Sequence, residues 1–115
     1  MQRKTHTSED SLVGEMVSRI RDQFAPIRIV LFGSRASGDA PPGSDVDLLV
    51  VLPEVPNSRK AAVDIRRALS DIPLGKDVIV TSPDEIALRG DVIGSVLRSA
   101  LREGSVLYER GQGLV

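Results

Sequence analysis

The sequence contains no cysteine and few aromatic residues. Without cysteine the chain can form neither a disulfide nor a thiolate metal site, which is compatible with a reducing compartment. Aromatic residues account for 3% of the composition, so valine, isoleucine and leucine must fill the core. The same scarcity argues against the aromatic surfaces on which single-stranded nucleic acid stacks.

The chain also lacks an excess of positive charge and a long apolar run. Fifteen basic residues face sixteen acidic ones, which gives a formal net charge of −1. Proteins that bind nucleic acid through its phosphates are usually far more basic, so nucleic acid is not expected to be the main partner. No apolar run is long enough to cross a bilayer, and residues 1–10 lack the hydrophobic stretch of a signal peptide. We therefore expect no membrane contact and a cytoplasmic protein.

Hydrophobic spacing predicts a single domain in which helices and strands alternate. The length of 115 residues fits one domain, and we expect a disordered tail over residues 1–8 followed by the folded domain over residues 9–115. Helices are predicted over about 9–24, 58–70, 83–89 and 92–102, with a short helical turn that ends at Gly38. Strands are predicted over 27–32, 45–52, 75–80 and 105–109.

Two aspartates, Asp45 and Asp47, open the second predicted strand. Aspartate is a poor strand former, and alternate side chains share a face, so the two carboxylates lie on one side with Cα atoms roughly 6.5 Å apart. Like charges so placed repel unless a cation lies between them, and Mg²⁺ is typically held by one or two carboxylates together with substrate phosphates. Taken alone, the pair fits a magnesium site and a plain exposed strand end about equally well.

Gly33 and Ser34 end the first predicted strand, where a short helical turn begins. Backbone N–H groups at such a junction can bind a phosphate, glycine allows close approach, and the serine hydroxyl can donate one more hydrogen bond. Alone, a tight turn in which Ser34 caps a helix is the better interpretation. Beside an Asp-x-Asp strand, the pair predicts a phosphate site next to a metal. Arg35 is open to two interpretations, a phosphate contact or an ion pair with Asp39.

Asp77 opens the third predicted strand and is the third candidate. If that strand lies beside the second one, its carboxylate could ligate a second metal ion or accept a proton from the attacking hydroxyl. The alternatives are a salt bridge with Lys76 or Arg28, or simple exposure to solvent. Beside Asp45 and Asp47 we favour a functional role.

Four basic residues cluster on the helix predicted over residues 58–70. Most such runs are solvated helix faces, although RNA or an acidic partner could use them. The four are Arg59, Lys60, Arg66 and Arg67.

The sequence resembles the nucleotidyltransferase superfamily with the DNA polymerase β-like fold. The shared signature is Gly-Ser, ten residues, then Asp-x-Asp, and it is met by Gly33, Ser34, Asp45 and Asp47. The resemblance is nearest to the minimal nucleotidyltransferases, small proteins often encoded beside a HEPN-domain partner. Their Leu-Phe-Gly-Ser-Arg-Ala-Arg-Gly segment is matched here except for Ser37, where arginine is common.

The resemblance implies a mixed α+β fold, with a small mixed sheet flanked by helices, and catalysis with two Mg²⁺ ions. Asp45 and Asp47 correspond to the metal ligands and Asp77 to the third carboxylate, while Gly33 and Ser34 would hold the phosphates of ATP. Small members of the family act as antitoxins that transfer AMP to a tyrosine of a HEPN toxin. The alternative is a module that masks its partner by binding alone. Homo-oligomers are possible in either case.

Overall fold

The chain alternates helices and strands as the hydrophobic spacing predicted. A computed structural model describes residues 4–90, 95–111 and 113–114, excluding the side chains of residues 4–8 and 113–114. The elements in chain order are α1 (Lys4–Phe24), β1 (Arg28–Phe32), α2 (Ser34–Ser37), β2 (Val46–Val51), α3 (Ser58–Ala68), β3 (Lys76–Thr81), α4 (Pro83–Arg89), α5 (Val96–Glu103), β4 (Ser105–Glu109) and β5 (Gly113–Leu114).

The strands form one mixed five-stranded sheet in the order β3-β2-β1-β4-β5. β2 and β3 are parallel because α3 connects them as a crossover, and the other neighbours are antiparallel. Since β1 runs against β2 and β3, its C-terminal end meets the N-terminal ends of those two strands. We call this edge, formed by residues 32–34, 45–47 and 75–77, the carboxylate end of the sheet.

The two faces of the sheet carry cores of unequal size. The larger core lies between the sheet and helices α1 and α3, where Ile20, Leu48 and Ile65 are fully buried. The smaller core lies under α5 and joins Leu49 to Ala100. Because side chains alternate along β2, the face that carries Leu49 also carries Asp47, so the carboxylates lie on the α5 side of the sheet.

Helix α1 corrects the predicted N-terminal tail. It begins at Lys4, so the backbone of residues 4–8 is helical where disorder was predicted, while residues 1–3 lie outside the description. No glycine or proline occurs between residues 4 and 13, so nothing in the segment ends a helix that is already anchored by buried residues further along. In the part of the chain that the structure describes, no helix is long and apolar enough to cross a membrane.

Two smaller differences concern the C-terminal part of the chain. Helix α5 begins at Val96 rather than near residue 92, because the Ser95 side chain accepts the N–H of Arg98 as an N-cap. Residues 92–94 of the predicted helix lie outside the description. Strand β5 was not predicted, since two residues are too few to show a periodic pattern.

Candidate active site

A strained glycine links β1 to the short helix α2. Gly33 has φ 77° and ψ −157°, a conformation that is essentially restricted to glycine. A Cβ atom on this residue would lie 2.2 Å from Oδ2 of Asp47, so glycine is also needed for space. The backbone N–H of Ala36 donates to the Gly33 carbonyl at 3.1 Å, and Gly38 ends the helix in the left-handed conformation. The predicted strand–turn–helix junction is therefore present, with Asp47 against its glycine.

Ser34 occupies the first position of α2 and is exposed. The N-cap position belongs to Gly33 and has no side-chain cap, so the alternative interpretation of Ser34 as a helix cap is wrong. None of the hydrogen bonds among the described residues uses the Ser34 hydroxyl. This hydroxyl is therefore available to a ligand beside Asp47.

The three candidate aspartates all lie at the carboxylate end. In the sheet register Asp47 lies between Phe32 of β1 and Asp77 of β3. Neighbouring strands are about 4.8 Å apart, so the Asp47 and Asp77 side chains are adjacent on one face. Asp45 comes directly before β2. Asp47 is half-buried, whereas Asp45 and Asp77 are exposed.

The three carboxylates interact through their charges, and no cation compensates them. Burial raises the pKa of Asp47 above its ordinary value of 3.8, and the negative charges of Asp77 and then Asp45 raise it further. No ion pair among the described residues includes any of the three. The site therefore concentrates negative charge, and no basic side chain among the described residues pairs with it.

The basic residues considered as structural partners of Asp77 bind elsewhere. Lys76 Nζ donates to the carbonyl oxygens of Leu69 and Ile72 at 3.0 and 2.9 Å. Arg28 pairs with Glu109 on β4, with Nη2 and Oε2 3.0 Å apart. The salt bridges proposed as alternatives for Asp77 are thus not formed.

The carboxylates do not form a closed metal cage. Within the described ranges, no group of three or more His, Cys, Asp and Glu side chains is arranged to hold a metal ion. The Asp45 carboxylate lies against Gly75, where a Cβ atom would be 2.0 Å from Oδ1, and the Asp47 carboxylate lies against Gly33. Mg²⁺ needs only one or two carboxylates when substrate phosphates and water complete its shell. These carboxylates are hard oxygen donors with uncompensated charge. They fit a Mg²⁺ site that substrate phosphates and water complete, and they do not fit a site in which the protein supplies every ligand.

Arg35 holds the turn that precedes Asp45. Its Nε and Nη2 atoms donate to the Ser44 carbonyl at 3.0 and 2.7 Å, and Nη2 also pairs with Oε1 of Glu9 at 3.0 Å. Oε2 of Glu9 accepts the backbone N–H of Gly43 at 3.0 Å. We call these contacts the Arg35–Glu9 clamp. Of the two interpretations of Arg35, the ion pair with Asp39 is wrong, and the phosphate contact stays a prediction.

Sequence reasoning missed Glu9 because nothing local connects it to the site. Glu9 was expected at the boundary of a disordered tail, 26 positions from Arg35. An acidic residue near the start of a helix is common in any protein, so its spacing does not indicate a distant partner. The signal that was present is the uninterrupted helical segment that brings Glu9 into α1.

The carboxylate end is an open rim, because the side chains of Ser34, Asp45 and Asp77 are exposed. One cavity of about 670 Å³ follows α5 and includes Arg98 and Arg102 in its lining. Another of about 350 Å³ lies between α3 and β3. An open rim leaves space for a large ligand.

Comparisons with known proteins agree with this geometry. Residues 13–104 match the family model described as "Nucleotidyltransferase domain". The chain is 30% identical over 111 residues to a candidate protein adenylyltransferase of Methanocaldococcus jannaschii, covering 88% of this chain and 72% of that protein. The crystal structure of a candidate nucleotidyltransferase from Sulfolobus solfataricus superposes with a TM-score of 0.63 at 24% identity, covering 100% of this chain and 96% of that one. The second likeness concerns the fold alone, and it confirms the predicted mixed α+β architecture.

Proposed function

Because the chain belongs to the nucleotidyltransferase domain family, we propose that it transfers AMP from ATP to a protein acceptor with Mg²⁺ bound at the carboxylate end. The observation that carries this proposal is the set of three aspartates without a cation beside the Gly33–Ser34 turn. The raised pKa of Asp47 reflects first the burial of its carboxylate and then the negative charges of Asp77 and Asp45, and a bound cation offsets both effects.

Each residue of the site has a distinct proposed role. Asp45 and Asp47 hold Mg²⁺, and Asp77 either completes a second metal site or accepts the proton of the attacking hydroxyl. Gly33 and Ser34 bind the phosphates, since the glycine leaves room and the serine hydroxyl is available. When bound, Mg²⁺ neutralises the charge that develops on the leaving pyrophosphate.

A protein acceptor is supported by the open rim and by the relative from M. jannaschii. Ser34, Asp45 and Asp77 are exposed at this rim, so the surface of another protein can reach them. The relative is named as a candidate protein adenylyltransferase. We propose a HEPN-type protein as the acceptor, which would make the chain an antitoxin.

The test is transfer of label from α-³²P-ATP in the presence of Mg²⁺ to the product of the neighbouring gene. We expect the partner to be labelled by the wild type, and the label to disappear with Asp47→Asn. Asp84→Asn is the matched control, because Asp84 is an exposed carboxylate in the first turn of α4, at the opposite end of β3.

Two results would count against the proposal. Equal loss of label in both variants would show that the effect is not specific to the site. Neutralisation of the partner by the Asp47→Asn variant as well as by the wild type would favour the non-catalytic role, in which the chain masks its partner by binding.

A further inference from the structure

Strand β3 is an edge strand without the usual protection. It is the last strand of the sheet, and no other described strand pairs with its outer edge. Proteins commonly guard such edges with proline, a bulge or a charged residue in mid-strand. The centre of β3 is Val-Ile-Val, and the neighbouring Lys76 donates its amino group to carbonyls inside the fold. The edge is therefore open to pairing.

The backbone groups of Val78 and Val80 face this open edge. The carbonyls of Gly75 and Thr81 accept the N–H groups of Val46 and Leu52, which places the odd-numbered residues of β3 toward β2. Hydrogen-bonding direction alternates along a strand, so the even-numbered residues point away from β2. The N–H groups and carbonyls of Val78 and Val80 are thus free to pair with a further extended strand at the outer edge of β3.

An apolar groove runs beside this edge. Its volume is about 350 Å³, and Ala62 and Val63 of α3 line it together with Val78 and Val80. Val63 is 37% exposed although it is apolar. The groove can receive the alternate side chains of an added strand while the edge pairs with its backbone.

Two unpaired arginines flank the groove. Arg59 and Arg66 line it, both are exposed, and no hydrogen bond or ion pair among the described residues engages either side chain. On the same helix Lys60 pairs with Asp64, whereas the two groove arginines have no such partner among the described residues. Seven residues of helix separate the arginines by roughly 10 Å, about the length of three extended residues.

We propose that the α3–β3 groove binds an extended acidic segment of a partner protein, which adds to β3 as a further strand. The apolar floor accepts β-branched or aliphatic side chains, and Arg59 and Arg66 pair with two carboxylates of the segment. A second copy of this chain is disfavoured as the occupant. A two-fold pairing of β3 with β3 would place the two α3 helices side by side and bring arginine against arginine.

Docking on this edge also sets the position of the partner relative to the site. Asp77 is the second residue of β3, so a strand added along Val78 and Val80 passes directly beside the carboxylate end. If the proposed AMP transfer holds, the added strand brings the acceptor to the edge of β3 beside the carboxylate end, while the groove that anchors it lies on the α3 face of the sheet. Binding itself requires neither nucleotide nor metal, and the experiment is therefore done without them.

The test is selection of random 12-residue peptides, displayed on phage, against the immobilised full chain in EDTA. We expect enriched peptides to carry two acidic residues four positions apart with a β-branched residue midway between them, because only an even spacing places side chains on the same face of a strand. Arg59→Glu/Arg66→Glu should weaken the binding of these peptides roughly tenfold or more, because two charge pairs become repulsive. Arg67→Glu/Arg102→Glu, which makes the same change of net charge outside the groove, should leave it unchanged.

Hydrogen exchange gives an independent measurement on the wild type. A bound peptide should slow exchange of the Val78 and Val80 amides and leave that of Ile79, which already faces β2, nearly unchanged. Equal weakening in the two double variants, or binding without protection of Val78 and Val80, would overturn the proposal. A dimer of the wild type that protects the same two amides would also overturn it, since the edge would then belong to a second copy.

Discussion

The turn before β2 and the carboxylates that follow it are adjacent in the chain but differ in how their charges are compensated. Against the turn, Arg35 of α2 and Glu9 of α1 neutralise each other with side chains that are 12% and 24% exposed. One residue further on, Asp45 begins a group of carboxylates with no cation among them. The chain thus pairs charge where it fixes the backbone and leaves charge unpaired where a ligand is expected.

The clamp and the carboxylates thus have separate roles: the clamp positions the backbone, and the carboxylates are the groups proposed to bind a ligand. The clamp accepts and donates hydrogen bonds on both sides of the turn, at the Gly43 N–H and the Ser44 carbonyl. It therefore holds the backbone that carries Asp45 without contacting the carboxylate. Substitutions in the clamp should therefore lower the free energy of unfolding. Substitutions of the carboxylates should lower the rate of transfer.

The largest expected effect is the loss of transfer activity on replacing a carboxylate. Asp45→Asn should lower the initial rate on the order of 10³-fold or more, because a metal ion stabilises the transition state by several kcal/mol. The rate of label transfer from α-³²P-ATP measures it. Asp39→Asn is the control at the same end of the sheet, since Asp39 contacts Ser37 and is exposed. Losses of similar size in both variants would contradict a role specific to Asp45.

Glycine substitutions at the carboxylate end should separate backbone strain from displacement of a carboxylate. Gly33→Ala should lower the free energy of unfolding by about 1–3 kcal/mol and abolish transfer, because the backbone is strained and the new Cβ displaces Asp47. Gly38→Ala meets nothing within 4 Å despite φ 84°, so it should cost about 1–2 kcal/mol and keep activity. Urea unfolding and the transfer rate measure the two effects.

A third substitution completes this series. Gly75→Ala has no positive φ to strain, yet its Cβ would lie 2.0 Å from Oδ1 of Asp45. Gly75→Ala should therefore lower the transfer rate strongly while changing the free energy of unfolding less than Gly33→Ala does. Full activity of Gly75→Ala would mean that the position of the Asp45 carboxylate does not matter to the reaction.

Breaking the clamp should reduce stability more than breaking an exposed ion pair. Glu9→Ala leaves Arg35 with a half-buried charge that has lost its carboxylate, which should cost about 1–3 kcal/mol in urea unfolding. Lys60→Ala removes a pair whose side chains are 72% and 41% exposed, so about 0.5 kcal/mol or less is expected. Equal losses would mean that the clamp adds nothing beyond a surface pair.

Local patterns in the sequence predicted most of the elements and which candidate residues lie together at one end of the sheet. Alternation along β2, together with two acids in an otherwise apolar strand, was enough to place Asp45 and Asp47 on one face. Asp77 could be placed only on the condition that its strand lies beside β2. The parallel register that aligns it with Asp47 satisfies that condition.

Contacts between distant segments were beyond such patterns. The partner of Arg35 could not be deduced, because Asp39 is near in sequence whereas Glu9 is near only after α1 packs on the sheet. The approach of Gly75 to Asp45 depends likewise on the pairing of two strands. Periodicity reports which face a residue occupies and carries no information on which other element covers that face.

The smallest expected effect is a gain of stability from Asp47→Asn in the absence of metal. The pKa of Asp47 is raised above 3.8 in the folded protein, so the folded state holds this proton more tightly than the unfolded state does. The stabilisation present below pH 3.8 is therefore lost as the pH rises through the raised pKa, and at pH 7 the ionised carboxylate destabilises the fold. Asparagine removes this penalty, which should raise the free energy of unfolding by less than about 1 kcal/mol in EDTA.

The pH and metal dependence of this gain distinguish it from improved packing. The two proteins should be equally stable near pH 3, where the carboxyl group is protonated in both folded and unfolded wild type. Addition of Mg²⁺ with a non-hydrolysable ATP analogue should stabilise the wild type and not the variant, since binding to the folded state alone raises stability. The order of stability at pH 7 would then reverse. A gain that persists unchanged at pH 3 would show that packing, and not the burial of an ionised carboxylate beside Asp77 and Asp45, accounts for the difference.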